Sequence, residues 1–333
     1  MSLITQYAIK VRNSTLQSKL HLGFFVVLTA LAAIMAGEAY AESSKDHPLV
    51  GKLWSVNGER FIDVDELEKK LLKSDYVAVG ETHDNMDHHR IQAKILNWFV
   101  SEKKVINPVF EMLSDRQLDS IQRTKITSSD SFFDKVSWEE SGWPNRKLYK
   151  PIFDIVIEQN LPIFAAETER NLLMQLTKGG EEQLPSDIAE YLSKVELDEN
   201  AKEQMRQEII ASHCGMLPET MVDPMILGQR VRDAVMAKSL VSAAKSGTAI
   251  LFSGSGHGRN DYGVPAYVKQ HDPQAIISTI AMMEVVNDVN LPSEYSEAWA
   301  SDTIPFDYVW FTDRVERGDP CEELRQHFKK HPV

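Results

Sequence analysis

Two glycine-led turns carry the residues whose chemistry is easiest to name. Gly80-Glu81-Thr82-His83 and Gly254-Ser255-Gly256-His257 share the spacing G-x-x-H, and each directly follows an apolar run. Glycine lets the backbone turn with positive φ or pass close to a ligand, and the imidazole three residues later titrates near neutrality. Glu111, within Phe110-Glu111-Met112, and Glu167 follow two further apolar runs. In one chemistry His83 or His257 activates water or a hydroxyl while a Glu orients it. In another, mixed His and Glu side chains hold a divalent Zn, Mn or Fe, with His83, Glu111 and His257 as ligands. The bland alternative is a pair of unrelated histidines capping strand-to-helix turns. Against it, Glu81, Glu111 and Glu167 at one level would repel unless a cation, a proton or a basic side chain lay among them. The nucleophile elbow G-x-S-x-G is missing, and Gly254-Ser255-Gly256 is too short to supply it, which disfavours a serine acyl-enzyme.

His83 and His257 can meet only if the fold brings together residues far apart in the chain. Short apolar runs at Tyr76–Val79, Pro108–Met112, Pro162–Ala166, Thr248–Phe252, Ala275–Met282 and Phe306–Phe311 read as buried strands, several of them followed by helical periodicity. That alternation predicts an α/β fold: a mostly parallel open sheet with flanking helices. In such a sheet the carboxyl ends of the strands share one edge, where ligands bind, and the polar turns all fall there. Ile91, Ile95, Leu96 and Phe99 mark an amphipathic helix after Asp84, and Leu148–Gln159 another. Asp223 as cap, Pro224 at the first position and Gly247 beyond the end frame a third. Residues 168–246 show helical pattern without a strand, an inserted helical subdomain within one domain spanning 47–330. Of the neighbours His88 and His89, only one can face the cleft. His88 shares its stripe with Ile91, Ile95 and Phe99 and is the inward one, either in the site or simply buried. Arg90 either pairs with a Glu or holds a substrate carboxylate, or else is a solvated surface residue.

Three stretches gather residues suited to a flat or soft ligand. Trp138-Glu139-Glu140-Ser141-Gly142-Trp143-Pro144-Asn145 with Tyr149 forms either a stacking wall or a loop pinned by two indoles. His213-Cys214-Gly215-Met216, with Met221 and Met225, forms either a polarizable pocket or ordinary helical packing. Arg259, Asp261 and Tyr262 follow His257, and a Tyr phenolate can bind ferric haem.

The chain has 333 residues, 36 Lys plus Arg against 49 Asp plus Glu, and a net charge of −13. An acidic balance without a basic patch excludes nucleic acid as a partner. Leu22–Ala36 is apolar, preceded by Lys10, Arg12 and Lys19 and followed by the small-x-small pattern Ala39-Tyr40-Ala41. It reads as a secretory signal over residues 1–41, cleaved near Ala41, with an uncleaved anchor as the alternative. The expected location is periplasmic or secreted. Export would permit Cys214 and Cys321 to pair, but two isolated thiols satisfy the sequence equally.

Val79–Asn85, Trp138–Pro144, Ser212–Pro218 and Gly256–Pro265, taken together and in this order, resemble the ChaN-like haem-binding, iron-regulated proteins of bacterial envelopes. The resemblance implies haem as cofactor, a role in haem and iron uptake or storage, a homodimer enclosing stacked haems, and an outer-membrane haem receptor as partner. It implies a Tyr on iron and a His near the propionates, for which Tyr262 and His213 are the candidates, with Met216, Trp143 and Arg259 beside them. The lipidated Cys of ChaN-like lipoproteins is not found after the signal. More distantly, the paired turns resemble erythromycin esterases and TraB/Tiki hydrolases. That resemblance implies a hydrolytic site of Glu81, His83, Arg90, Glu111 and His257.

Overall fold

The computed structural model describes residues 46–121, 126–319, 321, 322 and 324–326. The signal-like segment expected at 1–41 lies outside them. The main elements begin with a hairpin, β1 (Leu53–Ser55) and β2 (Arg60–Ile62), and a helix, α1 (Val64–Leu71). Next come β3 (Tyr76–Glu81), α2 (Met86–Ser101), β4 (Ile106–Phe110), α3 (Asp115–Ile121), α4 (Ser129–Lys135), the single turn α5 (Trp138–Ser141), α6 (Arg146–Glu158) and β5 (Phe164–Ala165). Four helices follow without a strand: α7 (Arg170–Gly179), α8 (Ser186–Ser193), α9 (Glu199–Ser212) and α10 (Glu219–Ala243). Then β6 (Thr248–Gly254), α11 (Val264–His271), β7 (Ile277–Glu284) and β8 (Tyr308–Thr312) complete the order.

The eight strands form one sheet in the order β2-β1-β8-β7-β3-β6-β4-β5. All pairings are parallel except β1 with β2 and β1 with β8. The fold is therefore mixed α/β with a mostly parallel open sheet flanked by helices. All six residues of β3 are buried, as a central parallel strand covered on both faces requires. Val77, Val79, Phe110 and Phe252 turn to a core shared with α2, α4 and α6. Tyr76, Val109 and Leu251 turn to the opposite core, built with α7, α8, α10 and α11. A third cluster, of Val309, Phe311, Tyr295 and Trp299, covers the β8 side. The hairpin β1–β2 escapes sequence reading because three-residue strands carry too few positions for an alternation to show.

α10 begins at Glu219, so Asp223 is not its cap and Pro224 lies inside it. Proline has no N–H to donate to the preceding turn, but so near the start of a 25-residue helix this costs only one bond. Cys214 and Cys321 form a disulfide, with Cα atoms 5.7 Å apart, that fastens the α9–α10 connection to the C-terminal segment. Before it reaches that bond the segment is anchored once more. Arg317 donates to both oxygens of Asp84 and of Glu284, at 2.5 to 2.7 Å.

Candidate functional site: a histidine–carboxylate cleft at the strand ends

Backbone geometry places the two G-x-x-H turns against each other. β3 and β6 are hydrogen-bonded neighbours, with Gly80 opposite Ser253 and Glu81 opposite Gly254. A Cβ on Gly80 would stand 2.8 Å from the Ser255 Cα, so only glycine lets the second turn fold over the first. A Cβ on Gly254 would stand 3.1 Å from Cε1 and Nε2 of His83, so its absence leaves room for the ring. Asn85 then caps α2, accepting from Asp87 N at 2.9 Å and donating to Glu284 at 2.7 Å. The first turn of α2 is thereby fixed over the end of β3.

Glu81, buried at the end of β3, is held by two imidazoles. His83 Nδ1 donates to one carboxylate oxygen at 2.8 Å, and His89 Nδ1 lies 2.7 Å from the other. His89 also donates through Nε2 to the His83 carbonyl at 3.0 Å, so both its nitrogens face acceptors and it is held as an imidazolium. Burial alone would push the Glu81 carboxyl up, but His89 and His83 together bring it below the usual range. Burial likewise opposes the charge on His83, yet the Glu81 hydrogen bond and the nearby Glu111 raise it. His83 Nε2 is left facing the cleft.

The second set lies beside it. His257 is gripped between Asp233 of α10, 2.6 Å from Nδ1, and Glu111 after β4, 3.4 Å from Nε2. Glu111 also accepts from Gly254 N at 2.7 Å. Despite burial, the two carboxylates push His257 up to about 10, and Glu111 is held down to about 2. Burial pushes the Asp233 carboxyl up, but His257 faces two anions and keeps the proton. Both its nitrogens are committed.

The cleft opens into a cavity of about 350 Å³ lined by His83, Glu111, Trp143, Pro144, Leu173, Arg170, Arg232, Met236 and Glu167 among others. Trp143 packs edge-on against His83, with ring centroids 4.9 Å apart. Burial raises the Glu167 carboxyl, an effect that Arg170, Arg232 and Trp143 only partly offset. A larger cavity of about 540 Å³ adjoins, sharing Ser141, Glu167 and Arg170.

Of the expected site residues, Glu81, His83, Glu111, His257 and Trp143 converge. The metal set does not hold: among the described residues no three His, Cys, Asp or Glu side chains are disposed to bind an ion. The carboxylates face imidazoles instead. Arg90 is exposed and pairs with Asp87 one helical turn away. His88 turns away from the cleft, accepting from Thr82 N and contacting the Thr312 hydroxyl, each at 2.8 Å. Burial holds it well below its ordinary pKa and hence neutral. The site histidine on that turn is His89, which sequence reading passed over because its neighbour lay on the apolar stripe.

The haem-ligand candidates are elsewhere. Tyr262 is 2% exposed, and the Arg259 guanidinium lies 3.7 Å from its ring centroid. Arg259 is itself buried between Asp261 and Glu208. Arg259 and Tyr262 thus brace the chain beyond His257, and neither lines the cavity. His213 caps α9, its Nδ1 on the Ile209 carbonyl at 2.7 Å, and it and Met216 flank the disulfide outside the cavity lining. Trp138 and Tyr149 are core residues, 1% and 0% exposed, so Trp143 alone of the three aromatics forms a wall. Asp233 and His89 are the participants that sequence reading missed. Their signal was weak, a lone Asp in a helix and the second member of a His-His pair.

Comparison with a solved structure agrees with this architecture. ChaN of Campylobacter jejuni, solved with cofacial haem binding, superposes with a TM-score of 0.61 at 19% identity over 78% of this chain and 95% of that one. An erythromycin esterase in its open conformation gives 0.39 at 10% identity, over 72% and 81%. No curated protein sequence matches the chain. A sequence model of the family described as haem-binding uptake, Tiki superfamily, ChaN matches residues 67–268, more than half of the chain and every residue named in the cleft. The chain belongs to this haem-binding ChaN family of the Tiki superfamily.

Proposed function

We propose that the protein binds haem in the cavity at the strand ends and serves its uptake or storage outside the cytoplasm. The observation that carries this reading is that the family match spans all the cavity-lining residues, and these suit a porphyrin. Trp143, Pro144, Leu173 and Met236 offer an apolar wall, and Arg170 and Arg232 offer cations. His83 supplies an open imidazole nitrogen, its Nδ1 fixed on Glu81, the arrangement that orients a metal-ligating histidine. Bound haem would supply a Lewis-acidic, redox-active iron, which His83 is placed to hold. Tyr262 is not proposed as the iron ligand, since it is buried under Arg259. The disulfide supports an oxidising compartment, in keeping with the signal-like segment. A homodimer closing the open side of the cavity, and delivery from an outer-membrane receptor, complete the reading.

Titrating purified protein with hemin tests it. A Soret band shifted from that of free hemin is expected, and His83→Ala should alter the bound spectrum. An unchanged hemin spectrum refutes the reading. Light scattering with and without hemin tests the dimer.

The carboxylate–imidazole pairs favour a second reading, hydrolysis. His83, backed by Glu81, could take a proton through Nε2 from water entering the cavity. An esterase and peptidase screen with and without His83→Ala decides; turnover that does not depend on His83 removes it.

A further inference from the structure

The arginines of this acidic chain are mostly spoken for. Arg60, Arg90, Arg146, Arg206, Arg259 and Arg317 each pair with one or more carboxylates. Arg170, at the start of α7, and Arg232, on α10, form no ion pair among the described residues, yet both line the cavity. Burial raises Glu167, the carboxyl beside them, while Arg170 and Arg232 draw it back down, and it is one carboxyl beside two guanidinium groups. The other carboxylates of the cleft, Glu81, Glu111 and Asp233, already face His83, His89 and His257. The cavity lining thus carries two guanidinium groups in a molecule of net charge −13, and beside them Trp143, Pro144, Leu173 and Met236 are apolar. Unpaired cations beside an apolar wall select amphiphilic anions and raise their local concentration.

We infer that Arg170 and Arg232 read the carboxylates of the ligand, so that the cavity selects a planar apolar molecule bearing free acid groups, whether or not it contains iron. The inference rests on the haem-binding reading and adds to it: the acid groups, rather than the metal, decide which porphyrins enter. Guanidinium groups meet carboxylates through paired N–H donors, a contact an ester cannot reproduce in charge.

The test uses the full chain and two iron-free probes, protoporphyrin IX and its dimethyl ester, titrated by quenching of tryptophan fluorescence and by porphyrin absorbance. The free acid should bind about tenfold or more tightly than the ester, a difference of about 1.4 kcal/mol. Added salt should weaken the acid alone. Arg170→Gln with Arg232→Gln should bring the acid down to the level of the ester and leave the ester unchanged. Both side chains are exposed and without ion pairs, so the double variant is expected to fold, which circular dichroism verifies. Equal binding of acid and ester by the wild type overturns the inference while leaving haem binding intact. So does a double variant that keeps the preference. Failure of hemin and both probes to bind overturns the haem reading and this inference together.

Discussion

Replacing His257 by Gln tests how the cleft tolerates its carboxylates. In the wild type the imidazolium lies between Glu111 and Asp233 with 8% of its side chain exposed, so solvent screens the interaction little. Its displacement from the ordinary 6.5 to about 10 corresponds to about 5 kcal/mol, at ~1.4 kcal/mol per pH unit. The matching descent of Glu111 from 4.5 to about 2 corresponds to about 3 kcal/mol. These describe the same contacts from two sides and are not summed. Removing one member of a buried pair leaves the other charges uncompensated, and the loss expected at neutral pH is about 3 to 5 kcal/mol. The sign of its pH dependence is specific. A raised His contributes stability that is fully present below 6.5 and lost as pH rises through about 10; a depressed Glu contributes above 4.5 and loses it as pH falls through about 2. In His257→Gln the two acids face each other without a cation, so their pKa values rise and the variant gains stability on acidification from neutrality. Below 6.5 the wild type's His257 contribution is complete, so the gap between wild type and variant should narrow from about pH 6.5 to about pH 5. Guanidinium unfolding followed by tryptophan fluorescence at both pH values measures it. A loss under about 1 kcal/mol, or a gap that does not change with pH, would refute this account of the cleft.

Reducing the disulfide, or Cys214→Ser, should lower stability by about 2 to 5 kcal/mol, since the bond closes a long loop; denaturant midpoints with and without reductant, compared with Cys321→Ser, check it. Gly80→Ala should cost about 1 to 3 kcal/mol, because the added methyl meets the Ser255 backbone rather than a yielding side chain. A loss no greater than that of an exposed Gly→Ala control would count against the close approach. His88 is buried neutral, so the unfolded chain takes up a proton that the folded one refuses, and stability falls as pH drops below 6.5. His88→Gln should flatten that acid limb, at a cost of about 1 to 3 kcal/mol for the disturbed bonds to Thr82 and Thr312; thermal melts between about pH 7 and about pH 5 report both effects.

The parallel sheet was legible because strands covered on both faces are continuously apolar, and every strand from β3 to β8 carries such a run. β1 and β2 carry none, and their hairpin is specified by pairing with β8 across more than two hundred residues. The start of α10 was misread for a local reason: Asp223-Pro224 is a good cap signal, but helix start signals compete, and Pro218 at the end of the disulfide-anchored connection wins. Of the site, the strand-end residues Glu81, Glu111 and His257 were legible because topology alone sends strand ends to one edge. Tyr262 lies outside the cavity lining because burial is tertiary, and nothing in Arg259-Asn260-Asp261-Tyr262 announces that the Arg covers the Tyr. His89 and Asp233 were hidden because each reaches the cleft from a helix, where a single polar residue on a mostly apolar face looks like an accident of composition.

The charge of the cleft connects these partial readings. Convergent carboxylates at the strand ends demand compensation, and the sequence admits a cation, a proton or a basic side chain. Geometry selects among them: Glu81 has His83 and His89, while Glu111 and Asp233 share His257, so each carboxylate faces an imidazole at 2.6 to 3.4 Å. A site balanced in this way has little surplus negative charge for a divalent cation. It also keeps His83 oriented, because the nitrogen on Glu81 is fixed while the other stays open. What remains unbalanced lies one layer outward, at Arg170 and Arg232, and its sign is positive. The inner layer thus sets the fold of the cleft and the state of its histidines, and the outer layer sets which ligands approach. Substitutions at Asp233 or His89 should accordingly change stability and the titration of the site, whereas substitutions at the two arginines should change ligand preference and its salt dependence with the fold intact.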